Sequence, residues 1–315
     1  MLNDQAMKEV YCSTLLEEME RHPEIVLLEA DLMGATGTKP AFEKYPERCI
    51  NVGIAEANMV GVAAGLASFG KIPVCASFSA FLSRRDFDQI CISACYAKLN
   101  VKFVGTDPGI CAEKNGGTHT AFEDVALMRA LPGMVIFEPC DAVQLRRALP
   151  QILQYPAPVY MRLNRKKAPA VYTEDYEFHF GKADTVRAGS DVTLIASGIL
   201  VHEALLAAEL LAQQGISARV VNMHTIKPLD EQTILQCAGE TAGIVTCENN
   251  NYLGGLGSAV AETLAEHDAY VPLRRVGIRD HFGDVGTVDY LKKRFHISSD
   301  DIDAAAQDVL ARAKH

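Results

Sequence analysis

A carboxyl group stands alone in the run "INVGIAEANMVGVAAGLASFG", residues 50–70: Glu56 is the one acid among small and apolar residues, directly after a segment of strand character. A carboxyl in such a setting loses hydration, its pKa rises, and it can keep or share a proton near neutral pH. A carboxylate at a helix start is also favoured by the helix dipole, by about 0.3–1 kcal/mol, so spacing alone leaves a catalytic and a structural role open. Two further runs carry groups capable of chemistry. "SFSAFLSRRDFDQI" (77–90) offers Phe78 and Phe81, rings that can stack on a planar ligand or simply fill a core. "TDPGICAEKNGGTHTAFEDV" (106–125) offers His119, an imidazole able to pass a proton or merely to sit at the surface.

All three runs follow apolar bursts, and the whole chain alternates such bursts with amphipathic stretches, the pattern of parallel strands joined by helices. Strands are predicted at 25–31, 72–78, 101–107, 134–139 and 158–163, with helices near 4–21, 55–69, 82–98, 122–131 and 141–153. In an open parallel sheet ligands bind at the carboxyl ends of the strands, so the three runs converge on one sheet edge. Residues 166–190 lose all periodicity and read as an interdomain linker. Alternation resumes with strands at 192–198, 217–223, 242–248 and 272–278 and a helix at 199–215 ending on Gly215. The expected architecture is therefore α/β in two units, 1–165 and 191–315.

Composition narrows the function classes. With 315 residues, 49% hydrophobic and 22% charged, the chain is an ordinary globular one. Its net charge of -10, with no basic stripe, argues against nucleic acid as a partner. Nine scattered cysteines without a CxxC fit a reducing compartment, and residues 59–70 are too short and Gly-rich to span a bilayer, so a cytoplasmic protein away from the membrane is expected. The amphipathic N-terminus does not read as a signal peptide. P-loop, GxGxxG, GxSxG and HExxH patterns are missing. "GGLGSAV" (254–260) opens a helix and could seat a phosphate on its backbone N–H groups, or be a tight turn.

The ordered series "NVGIAEANMVGVAAGLA", "ASFSAFLSRRDFDQI", "NGGTHTAFEDVALMRALPGMVIFEPCD", "NMHTIKPLDEQTI" and "ENNNYLGGLGSAVAETL" resembles, over nearly the full chain, the carboxyl-terminal portion of a transketolase encoded as two chains. The resemblance implies a pyrimidine-binding α/β domain followed by the smaller transketolase C-terminal domain, and thiamine diphosphate with a divalent metal, Mg2+, as cofactors. In this chemistry the cofactor's own aminopyrimidine moves the proton once an acid hydrogen-bonds the far ring nitrogen, so one well-placed carboxyl suffices. Matched residue by residue, Glu56 is that acid, Phe81 the stacking ring and Phe78 its companion, with Asp31 beside the cofactor. His119 is the imidazole that reaches the substrate, while Asn115, Asp107, Lys8, Arg162 and Arg165 belong to the substrate-binding set.

Three positions depart from the family pattern. Asn115 stands where an Asp usually holds a donor hydroxyl; Asp107 replaces a His, and Lys8 replaces an Arg of the phosphate-binding set. An amide can donate as well as accept, an anion repels a sugar phosphate unless turned away, and Lys lacks the bidentate fork of Arg. The donor is accordingly expected to differ at its distal end from the usual ketose phosphates. The family's "GDG" diphosphate and metal motif is also missing; "GDVG" (283–286) lies too late. No metal ligands are therefore assigned to this chain, and a separate N-terminal subunit in a two-plus-two heterotetramer is implied. The rival readings are the beta subunit of a 2-oxo-acid dehydrogenase and a non-catalytic regulatory or binding subunit. Asn250, in "ENNN" where a His is frequent, cannot act as a base.

Overall fold

The apolar bursts become strands of two sheets in the computed structural model, which describes residues 2–313. The first sheet contains β1 (Ile25–Glu29), β2 (Cys49–Asn51), β3 (Ile72–Phe78), β4 (Lys102–Thr106), β5 (Val135–Phe137), β6 (Val159–Leu163) and β10 (Thr225–Lys227), in the order β10-β5-β6-β4-β3-β1-β2. The second contains β7 (Asp184–Arg187), β8 (Val192–Ala196), β9 (Ala218–Asn222), β11 (Ile244–Asn251) and β12 (Leu273–Ile278), in the order β12-β11-β8-β9-β7. All neighbours are parallel except β10 with β5 and β7 with β9. Every residue of β1, β3, β4 and β6 is buried, because helices cover both faces; hence their continuous rather than alternating apolar pattern.

In the first unit the helices are α1 (Met7–Arg21), α2 (Met33–Thr36), α3 (Lys39–Lys44), α4 (Glu56–Ser68), α5 (Phe81–Arg84), α6 (Phe87–Gln89), α7 (Asp124–Ala130) and α8 (Ala142–Gln154). The second unit has α9 (Leu200–Gln213), α10 (Glu231–Glu240), α11 (Leu256–Glu266), α12 (Val288–Arg294) and α13 (Ser299–Ala313). α1 and α8 bury Met7, Tyr11, Leu15, Leu145, Leu149 and Ile152 in one core layer, and α4 buries Met59, Val60 and Ala63 in the layer on the other face.

Three expectations change. The single helix read at 82–98 is broken: Asp86 leaves helical geometry (φ -127°, ψ 15°), and after α6 the segment Ile90–Tyr96 winds as a π-helix. Such wide turns recur near functional sites. Second, the linker read at 166–190 is not loose. Phe178 is buried in the core of the first unit, Tyr172 and Tyr176 both donate to Asp184 Oδ2 at 2.6 Å, and β7 closes the edge of the second sheet. Third, "HTIKP" crosses back: β10 pairs with β5 in the first sheet, and Lys227 Nζ donates to the carbonyls of Arg129 (2.8 Å) and Leu131 (2.6 Å). No helix among the described residues is long and apolar enough to cross a membrane.

Candidate active site

Apart from Lys8, in α1, and Arg162, inside β6, the groups singled out in the first unit lie at or just beyond a strand's carboxyl end: Asp31 after β1, Glu56 after β2, Phe78 and Phe81 at the end of β3, Asp107 to His119 after β4, Arg165 after β6. Parallel strands place these ends on one edge, so residues scattered over 135 positions of sequence gather on one side of the sheet.

Glu56 opens α4 and is 4% exposed. Its Oε1 accepts a hydrogen bond from Arg85 Nη1 at 3.0 Å, and the Arg85 guanidinium lies 3.9 Å from the centre of the Phe81 ring. The broken helix makes this possible, since Arg85 sits at the break between α5 and α6. Phe78, Phe81 and His119 form a triangle of edge-to-face rings, with centroids 5.7 Å (Phe78–Phe81), 5.8 Å (Phe78–His119) and 5.0 Å (Phe81–His119) apart. His119 Nδ1 is 2.9 Å from Thr118 Oγ1. Ring faces beside an acid suit a flat heterocycle, and here the Arg85 guanidinium links the two.

The distal side is built around Asp107 and Arg165. Asp107, at φ +54° and 1% exposed, pairs with Arg165 Nε at 2.8 Å. Burial pushes its carboxyl up to about 7, opposed by the Arg165 charge. The Arg165 guanidinium also lies 5.5 Å from the Phe78 ring centre. Lys8 binds the same strand-end turn, its backbone N–H donating to the Arg165 carbonyl (3.1 Å), and its Nζ reaches Gly34 O at 3.4 Å. Asn115 is exposed, four residues before His119 on the same loop. Asp31, at φ +62°, takes part in a reciprocal pair with Asn51, donating its N–H to Oδ1 (3.0 Å) and accepting from Nδ2 (3.3 Å).

Arg162 does not join this set. It is fully buried, with Nε and Nη2 on Asp124 (2.8 and 3.2 Å), Nη1 on Glu138 (2.6 Å) and Nη2 also on the Asn249 carbonyl (3.0 Å). Arg162 lies within β6 and points into the seam between the two units, whereas Arg165 lies two residues past the end of that strand. Glu138 also accepts from Ser197 Oγ at 2.8 Å, so the Arg162 cluster ties both sheets together.

The second unit shapes the first in ways that no local sequence pattern signals. Asn249 Oδ1 accepts from Ile110 N (2.9 Å) and its Nδ2 donates to Pro108 O (3.0 Å), bracing the loop that starts at Asp107. Gly109, at φ +56°, allows this approach: a Cβ there would lie 2.2 Å from the Asn249 carbonyl oxygen. The "GDVG" turn packs on the His119 loop, and a Cβ at Gly283 would lie 2.4 Å from Thr120 Oγ1. Phosphate seating at "GGLG" is excluded by a tenant of the chain's own. Glu248 accepts from Leu256 N (2.6 Å), Gly257 N (3.0 Å) and Asn250 Nδ2 (2.7 Å), filling the N-terminus of α11.

The arrangement matches known proteins throughout. The family model described as "Transketolase, pyrimidine binding domain" matches residues 3–170, and "Transketolase, C-terminal domain" matches residues 181–302. The chain belongs to the transketolase family. It is 53% identical over 311 residues to a 6-deoxy-6-sulfo-D-fructose transketolase subunit of Clostridium sp. (strain MSTE9), covering 99% of this chain and 96% of that one. It is 38% identical to one of the subunits of an apulose-4-phosphate transketolase of Phocaeicola vulgatus (strain ATCC 8482), covering 87% and 88%. A solved structure described as a split gene transketolase, inactive beta4 tetramer, superimposes with a TM-score of 0.89 at 41% identity over 98% of both chains. This transketolase-family chain thus resembles the split subunits over its whole length, and membership implies dependence on thiamine diphosphate. The buried Glu56 beside the Phe78, Phe81 and His119 rings fits the pyrimidine half of that cofactor. Among the described residues no group of three or more His, Cys, Asp or Glu is arranged to hold a metal.

Proposed function

We propose that the chain is the pyrimidine-side subunit of a two-chain transketolase that moves a two-carbon ketol unit from a sulfonated ketose to an aldose. The observation that carries this is Glu56, buried at the head of α4 and joined through Arg85 to the Phe81 ring of the triangle. When bound, thiamine diphosphate supplies the carbanion-stabilising thiazolium. Glu56 holds a proton at the far ring nitrogen of the aminopyrimidine, Phe81 stacks on that ring, Phe78 walls it, and Asp31 lines the cofactor side. His119 exchanges a proton with the donor's oxygen atoms while Asn115 hydrogen-bonds a hydroxyl. Arg165, steadied by Asp107 and Lys8, receives the distal anion. Because Asp107 already engages Arg165 Nε, a singly charged sulfonate suits the pair better than a phosphate, which carries about -1.5 to -2 near pH 7. The 53% identical relative, named for a sulfonated ketose, supports this donor class.

On this reading the diphosphate and Mg2+ are held mainly by a separate subunit in a two-plus-two assembly. Two observations support a partner. The outer face of α4 presents Gly61 and Gly65 with no atom within 4 Å of their Cβ positions, between exposed Ile54 and Phe69, a surface a second chain can approach closely. The similar tetramer built of one chain type is described as inactive. The test is to assay the purified chain with thiamine diphosphate and Mg2+, alone and with a separately encoded diphosphate-domain subunit. The expected outcome is no turnover alone, and with partner a kcat/KM for 6-deoxy-6-sulfofructose at least tenfold above that for xylulose 5-phosphate. Full activity of the isolated chain overturns the partner requirement, equal use of xylulose 5-phosphate overturns the donor, and decarboxylation of a 2-oxo acid instead points to a dehydrogenase beta subunit.

A further inference from the structure

A second acid stands behind Glu56. Asp86 lies at the helix break, on the residue after Arg85 and before α6, and is fully buried. Neither of its carboxyl oxygens has a hydrogen-bond partner in another residue, and it does not cap α6. An ionised carboxylate left so would cost several kcal/mol, so the group is kept only if it is neutral or serves a purpose. α4, which Glu56 opens, packs against α6. The charged and titratable groups that face Asp86 are Glu56 from α4, Arg85 from its own segment and Cys75 from β3. Burial above all, with the Glu56 charge adding to it, raises the Asp86 carboxyl to about 8 against the pull of its own backbone N–H and the Arg85 cation.

The charges then balance in one way. Two buried carboxyls beside one half-exposed guanidinium are neutral when a single proton is shared by the two acids. We propose that Asp86 and Glu56 form a one-proton dyad balanced by Arg85, in which Asp86 stores the proton that Glu56 presents to the aminopyrimidine. Delivery runs through one bridging water, which takes the proton as the Asp86 O–H bond breaks and gives another to Glu56 as its O–H bond forms. Arg85, bonded to Glu56 at 3.0 Å and adjoining Asp86 in sequence, then turns from the neutralised acid to the new anion. Asp86 is thus a positioning residue acting through Glu56, and the inference rests on the role given to Glu56 above.

The test needs no turnover. Infrared spectra of the cofactor-free chain, followed by pH titration, report the C=O band of protonated carboxyls. Protonated-carboxyl absorbance at pH 7 includes Glu29, Asp107 and Glu248, each raised to about 7, and Asp86→Asn should lose the band with the highest midpoint, near 8. In Glu56→Gln, which removes the like charge and frees Arg85, the band should remain but titrate at least half a pH unit lower. An unchanged band in Asp86→Asn, or an unmoved midpoint in Glu56→Gln, overturns the dyad whether or not the chain is a transketolase subunit. Should Asp86→Asn fail to fold, the Glu56→Gln midpoint decides alone. With partner, Asp86→Asn should lose about tenfold in kcat at unchanged donor KM and shift the pH profile; a loss in KM alone would overturn the proposal.

Discussion

The two sheets carry acids at the same topological place and treat them in opposite ways. Beyond the strands of the first sheet, Glu56 has one partner, the half-exposed Arg85, and Asp86 has none. In the closing residues of β11 in the second, Glu248 accepts three N–H groups and Asn249 bridges to Pro108 and Ile110. One edge keeps bonding capacity in reserve for a ligand; the other commits its capacity to the fold itself. The lesson is that strand-end position nominates a site, and only the bonding left unmade there qualifies it.

This contrast can be broken by removing acids and braces on either side. Glu56→Gln, which keeps shape but not the proton, should lower kcat of the assembled enzyme by about 10²–10⁴-fold with assembly intact, as steady-state kinetics and gel filtration would show. Arg162→Met leaves Asp124 and Glu138 buried without their cation and should cost about 3–5 kcal/mol in urea unfolding, far more than an exposed substrate arginine would. Asn249→Ala, which unpairs Ile110 N–H and the Pro108 carbonyl, should cost about 1–3 kcal/mol and raise the donor KM severalfold, since the Asp107 loop loses its brace. An unchanged KM there would confine the second unit to packing.

The smallest effect sharpens the comparison through pH. Burial raises Glu248 from 4.5 to about 7, so the folded chain binds its proton more tightly than the unfolded chain does. Its contribution to stability is therefore complete below pH 4.5 and lost as pH rises through about 7. Glu248→Gln cannot titrate, and its Tm should fall less than that of the wild type between mildly acidic and mildly basic pH, by about 2–4 °C.

How much of this was readable in the sequence depended on how local the cause was. β3 coincides with its predicted limits because a strand buried on both faces is written as a continuous apolar run. Glu56, Phe78, Phe81 and His119 could be nominated because each follows such a run, and the fold does bring them together. β10 and β7 were missed because three or four residues that include charges carry no period; their pairing is settled by tertiary partners. The break at Asp86 was equally invisible, since "RRDFDQI" has ordinary helical composition. Arg162 was misplaced because sequence proximity to Arg165 does not reveal that one lies inside β6 and the other beyond its end. The interior use of Glu248 could have been suspected from an acid eight residues ahead of Leu256 at a helix start, though only the fold brings them together.

The crossing strand β10 bears on how this molecule could be divided. It supplies the edge that covers β5, so a chain cut within the 166–183 connection would present β5 with unpaired N–H and C=O groups, an invitation to sheet extension by a neighbour. The first unit, where the proposed site lies, is consequently not a portable module. For expression, grafting or library design the smallest unit to move is the whole chain, and any screen of isolated fragments would select against aggregation before it selected for catalysis.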